Sequence, residues 1–200
     1  MDEIKKLSGL DDGQVDQAVG VFVDGFHYIF SKAISKDKEK LHLLFKNSFD
    51  YDMTYAYLRE GEAVGFMGLG DHIKRPIALD REVFLGLRGG LGGKISYKAM
   101  SAALGKVVVE NPDEVYVDYL ATSPEHRSQG IGTKLIEYVR DTMGYKYIKL
   151  EVLSKNPRAK KLYESLGFEV IKIKTDIMMM INGFGKPIIM RMEVRQPHQY

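Results

Sequence analysis

The chain has 200 residues, 44% of them hydrophobic, and 29 Lys and Arg against 27 Asp and Glu leave a net charge of +2. This suits one globular domain with a sizeable core, and charges so evenly mixed imply no strong nucleic-acid or membrane field. The sequence contains no cysteine, which excludes disulfides, thiol catalysis and cysteine-ligated zinc. The opening Met1 to Gly9 lacks the apolar centre of a secretion signal, and no stretch is long enough to span a bilayer, so the expected location is the cytoplasm.

In chain order, Ile4 to Leu7 reads as a short strand. Asp11 or Asp12 caps a helix that carries Val15, Val19, Phe22, Phe26 and Phe30 on one side. A second helix is expected over Lys38 to Phe49, with Leu41, Leu44, Phe45 and Phe49 inward. Met53 to Arg59 and Ala63 to Leu69 flank Glu60-Gly61-Glu62 as a hairpin. Phe26 and Tyr28 suit either the core or the wall of a substrate pocket. From Asp71 to Asn111 the pattern changes: Leu79 to Leu87 and Ile95 to Leu104 look helical, joined by a glycine-rich turn over Gly86 to Lys94. This segment, 71–111, reads as a helical insertion between the third and fourth strands. It is either a flap packed on the domain or a lid or dimer contact over an acceptor site.

Val115 to Thr122 is β-branched and aromatic, hence a strand, and Ser123-Pro124 ends it. A polar loop, Glu125 to Gln129, leads to Gly130-Ile131-Gly132, behind which Ile131, Leu135, Val139 and Met143 recur at helical spacing. Free N–H groups at a helix start, a favourable dipole and glycines that admit a close approach make an anion cradle. Arg127 adds a permanent cation beside it. Tyr147 to Leu153 then suits a parallel neighbour strand reached by the helical crossover. Asn156 caps a helix with Pro157 in its first turn and Ala159, Leu162, Tyr163 and Leu166 on one face, ended at Gly167. Phe168 to Lys174 and Ile188 to Val194 complete the chain as antiparallel strands.

Other glycine motifs fail. A dinucleotide fingerprint from Gly130 needs glycine where Leu135 stands, and the run ending Gly93-Lys94 continues with Ile95 and has Arg88 where a P-loop needs glycine. No G-x-S-x-G or H-E-x-x-H occurs, and His27, His42, His72, His126 and His198 show no metal-ligand spacing. No metal is expected.

Arg127-Ser128-Gln129-Gly130-Ile131-Gly132 resembles the R/Q-x-x-G-x-G/A signature of the Gcn5-related (GNAT) N-acetyltransferases. Asn156 to Phe168 resembles the same family's N-x-x-A-x-x-L-Y-x-x-x-G-F segment, in the expected order and context. The resemblance implies an α/β fold, with a mixed central β-sheet flanked by helices, and direct acetyl transfer from acetyl-CoA to a primary amine. It implies that the backbone of Ser128, Gln129, Gly130, Ile131, Gly132 and Thr133 holds the pyrophosphate, with Arg127 at the rim. The pantetheine arm would lie along Leu120, Ala121 and Thr122, with Asn156 bonded to it. A backbone N–H near Leu120 or Ala121 would face the thioester oxygen. Tyr163 stands where the family places a general acid, and its alternative is packing on the cofactor. Asp118, the one carboxylate inside the fourth strand, is either a general base or an ion-paired strand residue. Alternation puts Tyr116, Asp118 and Leu120 on one face and Tyr119 on the other unless a bulge intervenes, and the family has one here. The same motifs would serve a longer acyl group or a non-catalytic CoA-binding domain. The acceptor is expected to be a small amine, with neither nucleic acid nor membrane as partner, and a homodimer is possible.

Overall fold

The computed structural model describes residues 2–194. Among them a seven-stranded mixed sheet runs in the order β1-β2-β3-β4-β5-β7-β6. The strands are β1 (Asp2–Lys6), β2 (Thr54–Arg59), β3 (Glu62–Gly70), β4 (Glu114–Thr122), β5 (Tyr147–Leu153), β6 (Glu169–Ile173) and β7 (Pro187–Glu193). Only β4 and β5 pair in parallel, as a strand-helix-strand crossover requires. The β2–β3 hairpin turns through Glu60 and Gly61, at φ 53° and 87°, the left-handed pair that a two-residue turn between twisted strands demands.

Each face of the sheet has its own core. On one, α1 (Asp12–Ala33) and α2 (Lys38–Lys46) bury Phe22, Phe30, Leu41, Leu44 and Phe45. Asp11 caps α1 by accepting from the Gln14 N–H at 2.8 Å. The other face packs against α5 (Ile131–Thr142) and α6 (Pro157–Ser165) through Ile131, Leu135, Ile136, Val139 and Tyr163. Asn156 caps α6, accepting from the Ala159 N–H at 3.1 Å, and Gly167 leaves the helix at φ 94°.

Three expectations need correction. The second helix stops at Lys46, and Phe49 instead bridges to Ile77 in the chain that leaves the sheet. The glycine-rich stretch is not a turn throughout: α3 (Arg81–Leu87) gives way after Arg88-Gly89 to α4 (Gly90–Gly105), so Gly90, Gly92 and Gly93 lie inside a helix. Gly93 is needed there because a Cβ would stand 1.4 Å from the Arg88 carbonyl oxygen. Between β6 and β7 the chain forms a short helix, α7 (Ile177–Ile181), not foreseen from sequence.

The insertion between β3 and β4 packs as a flap. Phe84 of α3 is fully buried, its ring 5.6 Å from that of Tyr97 on α4, within the core that α1 and α2 share. Phe84→Ala should cost about 3–5 kcal/mol, the scale of an emptied aromatic site in a core. Urea denaturation reads this, and a loss within experimental error would mean that α3 is only loosely seated.

Candidate active site

The strand that carries the site is irregular, and the irregularity builds it. Pairing between β3 and β4 steps from Gly68↔Tyr119 to Leu69↔Val117, so Asp118 is an extra residue, a β-bulge. Before it, Val115 and Val117 face the α5 core; after it, Tyr119 and Ala121 face the α1 core. The expected alternation is therefore corrected: Asp118 shares its face with Tyr116 and Tyr119, while Leu120 points with Val117. Ladder pairing with β5 also ends at Val117↔Leu150. Beyond that point the β5-side edge of β4, through Leu120, Ala121 and Thr122, is open.

A cleft of about 680 Å³ opens there. Leu120, Ala121 and Thr122 line it from β4, Arg127 and Ser128 from the loop, and Gly130, Ile131, Gly132 and Thr133 from the start of α5. Asn156, Ala159, Leu162 and Tyr163 close it from α6. The loop enters α5 through two left-handed residues, Ser128 at φ 65° and Gly130 at φ 79°. Only glycine takes that conformation freely, and the first-turn N–H groups of a helix have no partner within the helix itself. Ile131 is buried and its Cγ2 abuts Gly65 of β3, where a Cβ would approach to 2.7 Å, so the helix start is seated hard on the sheet.

The sequence reading thus places most of its residues in one cavity, with two exceptions. Gln129 is not among the lining residues: its side chain accepts from Arg59 and donates to the Glu125 carbonyl at 3.2 Å. Asp118 is also outside. Its side chain is 1% exposed and takes a two-pronged ion pair from Arg75, whose Nε donates at 2.6 Å and whose Nη2 binds the other oxygen. Arg75 Nη1 also donates to the Lys106 carbonyl at 2.7 Å, and its guanidinium lies 5.5 Å from the Tyr116 ring centre. A carboxylate so enclosed cannot meet an incoming amine, and its ion-paired alternative is the one the geometry supports. The cluster ties both ends of the insertion to the bulge.

Burial pushes the Asp118 carboxyl up to about 6, against the pull of Arg75 toward the charged form. A folded pKa above the unfolded one means the proton is held more tightly in the fold. The stability this contributes is full below about pH 4 and is lost as pH rises through about 6. Removing Arg75 should sharpen that dependence. Arg75→Met should lose about 3–5 kcal/mol at pH 8, where the carboxylate is stranded, and distinctly less at pH 5, where it takes up a proton. Equal losses at both pH values, by urea denaturation, would show that the pair is not what holds the bulge.

Several lining residues were missed by sequence reasoning. Arg158 donates to the Ser128 hydroxyl and adds a second guanidinium to the anion end. It was visible only as an unassigned position between Asn156 and Ala159. His126 lines the cleft with its Nδ1 2.9 Å from the Ser123 hydroxyl. Asp24 and Gly25 reach the cleft from α1. Of the two residues left open between core and pocket wall, Tyr28 lines the cleft, whereas Phe26 is a core partner of Phe22 and Tyr119. No residue of the insertion lines the cleft, so the lid reading finds no support in its walls. Among the described residues no group of His, Cys, Asp or Glu could hold a metal ion, and no helix is long and apolar enough to cross a membrane. His198 lies outside the described residues.

Tyr163 is buried against Phe168, with ring centres 5.7 Å apart, and still borders the cleft. Burial first, and the neighbouring Tyr28 second, push its phenol up to about 12. It therefore keeps its proton throughout the physiological range.

The sheet is splayed between its parallel strands, and the glycine-led start of α5 stands at one end of the gap. The comparisons point the same way. Residues 91–170 match the model of the acetyltransferase (GNAT) domain, a match that begins inside α4 and runs to β6. Over 100 residues it is 32% identical to the ribosomal protein bS18-alanine N-acetyltransferase of Escherichia coli, covering 48% of this chain and 66% of that protein. The chain thus spans just under two thirds of the length of that relative. Over 56 residues it is 39% identical to the thialysine N-epsilon-acetyltransferase of Bos taurus, 26% of this chain and 33% of that one. In fold it resembles a histone acetyltransferase-related protein of Corynebacterium glutamicum, with a TM-score of 0.64 at 18% identity over 98% of each chain.

Proposed function

We propose that the protein is an acetyl-CoA-dependent N-acetyltransferase in which an amine attacks the thioester directly. The observation that carries this is the open edge of β4 running into the glycine-led start of α5, with a buried tyrosine in the same cleft. The residues present suit the ligand. Backbone N–H groups from Ser128 to Thr133, with Arg127 and Arg158, would hold the pyrophosphate; Gln129 contributes through its backbone only. The free β4 edge from Leu120 to Thr122 would receive the amides of the pantetheine arm like an added strand. Asn156 uses its carbonyl oxygen for the helix cap, which leaves its NH2 for the arm. A backbone N–H at Leu120 or Ala121 would stabilise negative charge on the carbonyl oxygen as the amine adds.

Acetyl-CoA supplies the activated acyl carbon. The nitrogen–carbon bond forms, the carbon–sulfur bond breaks, Tyr163 gives its proton to the departing sulfur, and the amine's proton passes to solvent. A phenol at about 12 is a weaker acid than a free thiol, yet the desolvation that raises it acts equally on a thiolate leaving in the same cleft. Asp118 has no part in this scheme beyond holding the bulge that turns Leu120 toward the α5 side. The relatives' names specify an alanine of a ribosomal protein and thialysine as acceptors, which supports an amine acceptor here without deciding between protein and small molecule. A panel of acyl-CoA esters, with and without amines, tests the proposal. Turnover preferring acetyl-CoA supports it, preference for longer chains would reassign the acyl group, and binding without turnover would make the domain a CoA sensor.

A further inference from the structure

The charges lining the cleft are divided between its walls. Arg127, Arg158 and the start of α5 gather on one side, and Asp24 and Tyr28 on α1 form the other. Among the described residues Asp24 is the only carboxylate in the lining. It is held at β4 because the next residue, Gly25, lets the helix touch the strand: a Cβ there would stand 2.8 Å from that of Ala121. Asp24 is thus fixed beside the open strand edge.

The carboxylate already holds an amine. Lys38 Nζ donates to Asp24 Oδ1 at 2.6 Å, while Oδ2 has no partner among the described residues. Both side chains are accessible, Lys38 at 57% and Asp24 at 38% exposure, so a ligand ammonium can replace that of Lys38. An exposed pair of this kind contributes little to stability, which makes its displacement easy. Tyr28 follows Asp24 by one helical turn on α1, and both line the cleft that Tyr163 borders from α6. Asp24 therefore stands roughly 5–6 Å along the helix from Tyr28.

We propose that Asp24 selects the acceptor by binding a second cationic group on it, so that the preferred substrate is a diamine or an amine bearing a comparable second charge. This rests on the transferase reading above. The ammonium at Asp24 is not the nitrogen that reacts, because an ion pair there would hold that nitrogen protonated when attack requires a free lone pair. A carboxylate on the α1 wall, with the acid on α6, separates the two tasks. Tyr28, with its ring against Phe184 of the β6–β7 connection, lines the path between them.

The test compares 1,4-diaminobutane with n-butylamine, which has the same carbon chain and lacks the second charge. Acetyl-CoA-dependent CoA release is measured for the native protein, Asp24→Asn and Lys38→Met. The native protein should prefer the diamine at least tenfold in kcat/KM. Asp24→Asn should remove that preference through KM for the diamine, leaving the KM of acetyl-CoA unmoved. Lys38→Met frees the carboxylate and should keep or raise the preference. The opposite behaviour of the two variants separates binding from structure, since a mere strut between α1 and α2 would be broken equally by both. Parallel losses with both amines, or an unchanged preference in Asp24→Asn, would overturn the proposal. So would a native protein that binds acetyl-CoA by calorimetry and acetylates neither amine. A native protein that does not bind acetyl-CoA at all would refute the transferase reading itself.

Discussion

Tyr163→Phe is expected to lower turnover on the order of a hundredfold or more, the usual scale of general acid catalysis, while the fold and the affinity for acetyl-CoA barely change. The substitution removes one hydroxyl and keeps the ring, whose contact with Phe168 belongs to the α6 face of the core. The effect should fall on kcat, because the proton is delivered as the sulfur departs and not in the bound ground state. Burial holds the phenol at about 12, so the native enzyme should show no loss of activity from deprotonation of this group up to about pH 10. Activity rising with pH in either protein would reflect the amine losing its own proton. The decisive measurement is single-turnover transfer by the two proteins at one pH with both substrates saturating. Agreement within a few-fold would assign Tyr163 to packing and leave solvent to protonate the thiolate.

Gly130→Glu should abolish CoA binding. The residue is the N-cap of α5 at φ 79°, and a Cβ there meets nothing within 4 Å, so the side chain fits sterically and projects into open space. The left-handed backbone adds strain of about 1–2 kcal/mol, which the rest of the sheet tolerates. A carboxylate about 4 Å from a phosphate costs roughly 4 kcal/mol where partial solvent screening applies. Affinity should therefore fall by on the order of a thousandfold, against a few-fold for Gly130→Ala, which carries the strain without the charge. Titration calorimetry with CoA separates the two, and circular dichroism confirms that both remain folded. Unchanged affinity in a folded Gly130→Glu protein would remove the pyrophosphate from the start of α5.

The glycine-led entry to α5 was legible because it is local. Strand, polar loop, paired glycines and helix start are consecutive residues, and the geometry that exposes the Ser128–Thr133 backbone needs no distant partner beyond a sheet to rest on. Asn156, Pro157, Tyr163 and Gly167 were legible for the same reason, since a cap, a first-turn proline, an apolar face and a left-handed stop all repeat at short range. Where short-range signals were ambiguous, the helices shifted: Phe49 is apolar enough to extend α2, yet Ile77 offers it a strand partner 28 positions away in sequence. The glycines at 90, 92 and 93 look like a turn by propensity, yet the backbone is helical there, and Gly93 must lack a Cβ because the chain passes so close to Arg88.

By itself the sequence determined the chain order of the strands and of every described helix but α7, and the resemblance to the GNAT acetyltransferases, because each rests on periodicity or on contiguous motifs. It could not orient Asp118. One extra residue in β4 reverses which side chains face which core, and the bulge shows only in the pairing with β3. Nor could it show that Arg75, 43 residues earlier, would close over that carboxylate. Tyr28 read from sequence as either core or pocket wall, and Asp24 carried no signal at all; the wall of the cleft was decided only when α1 came to rest on β4. Contacts between segments far apart in the chain carry no local signature, since they depend on how two separately formed surfaces meet, and that is decided by packing.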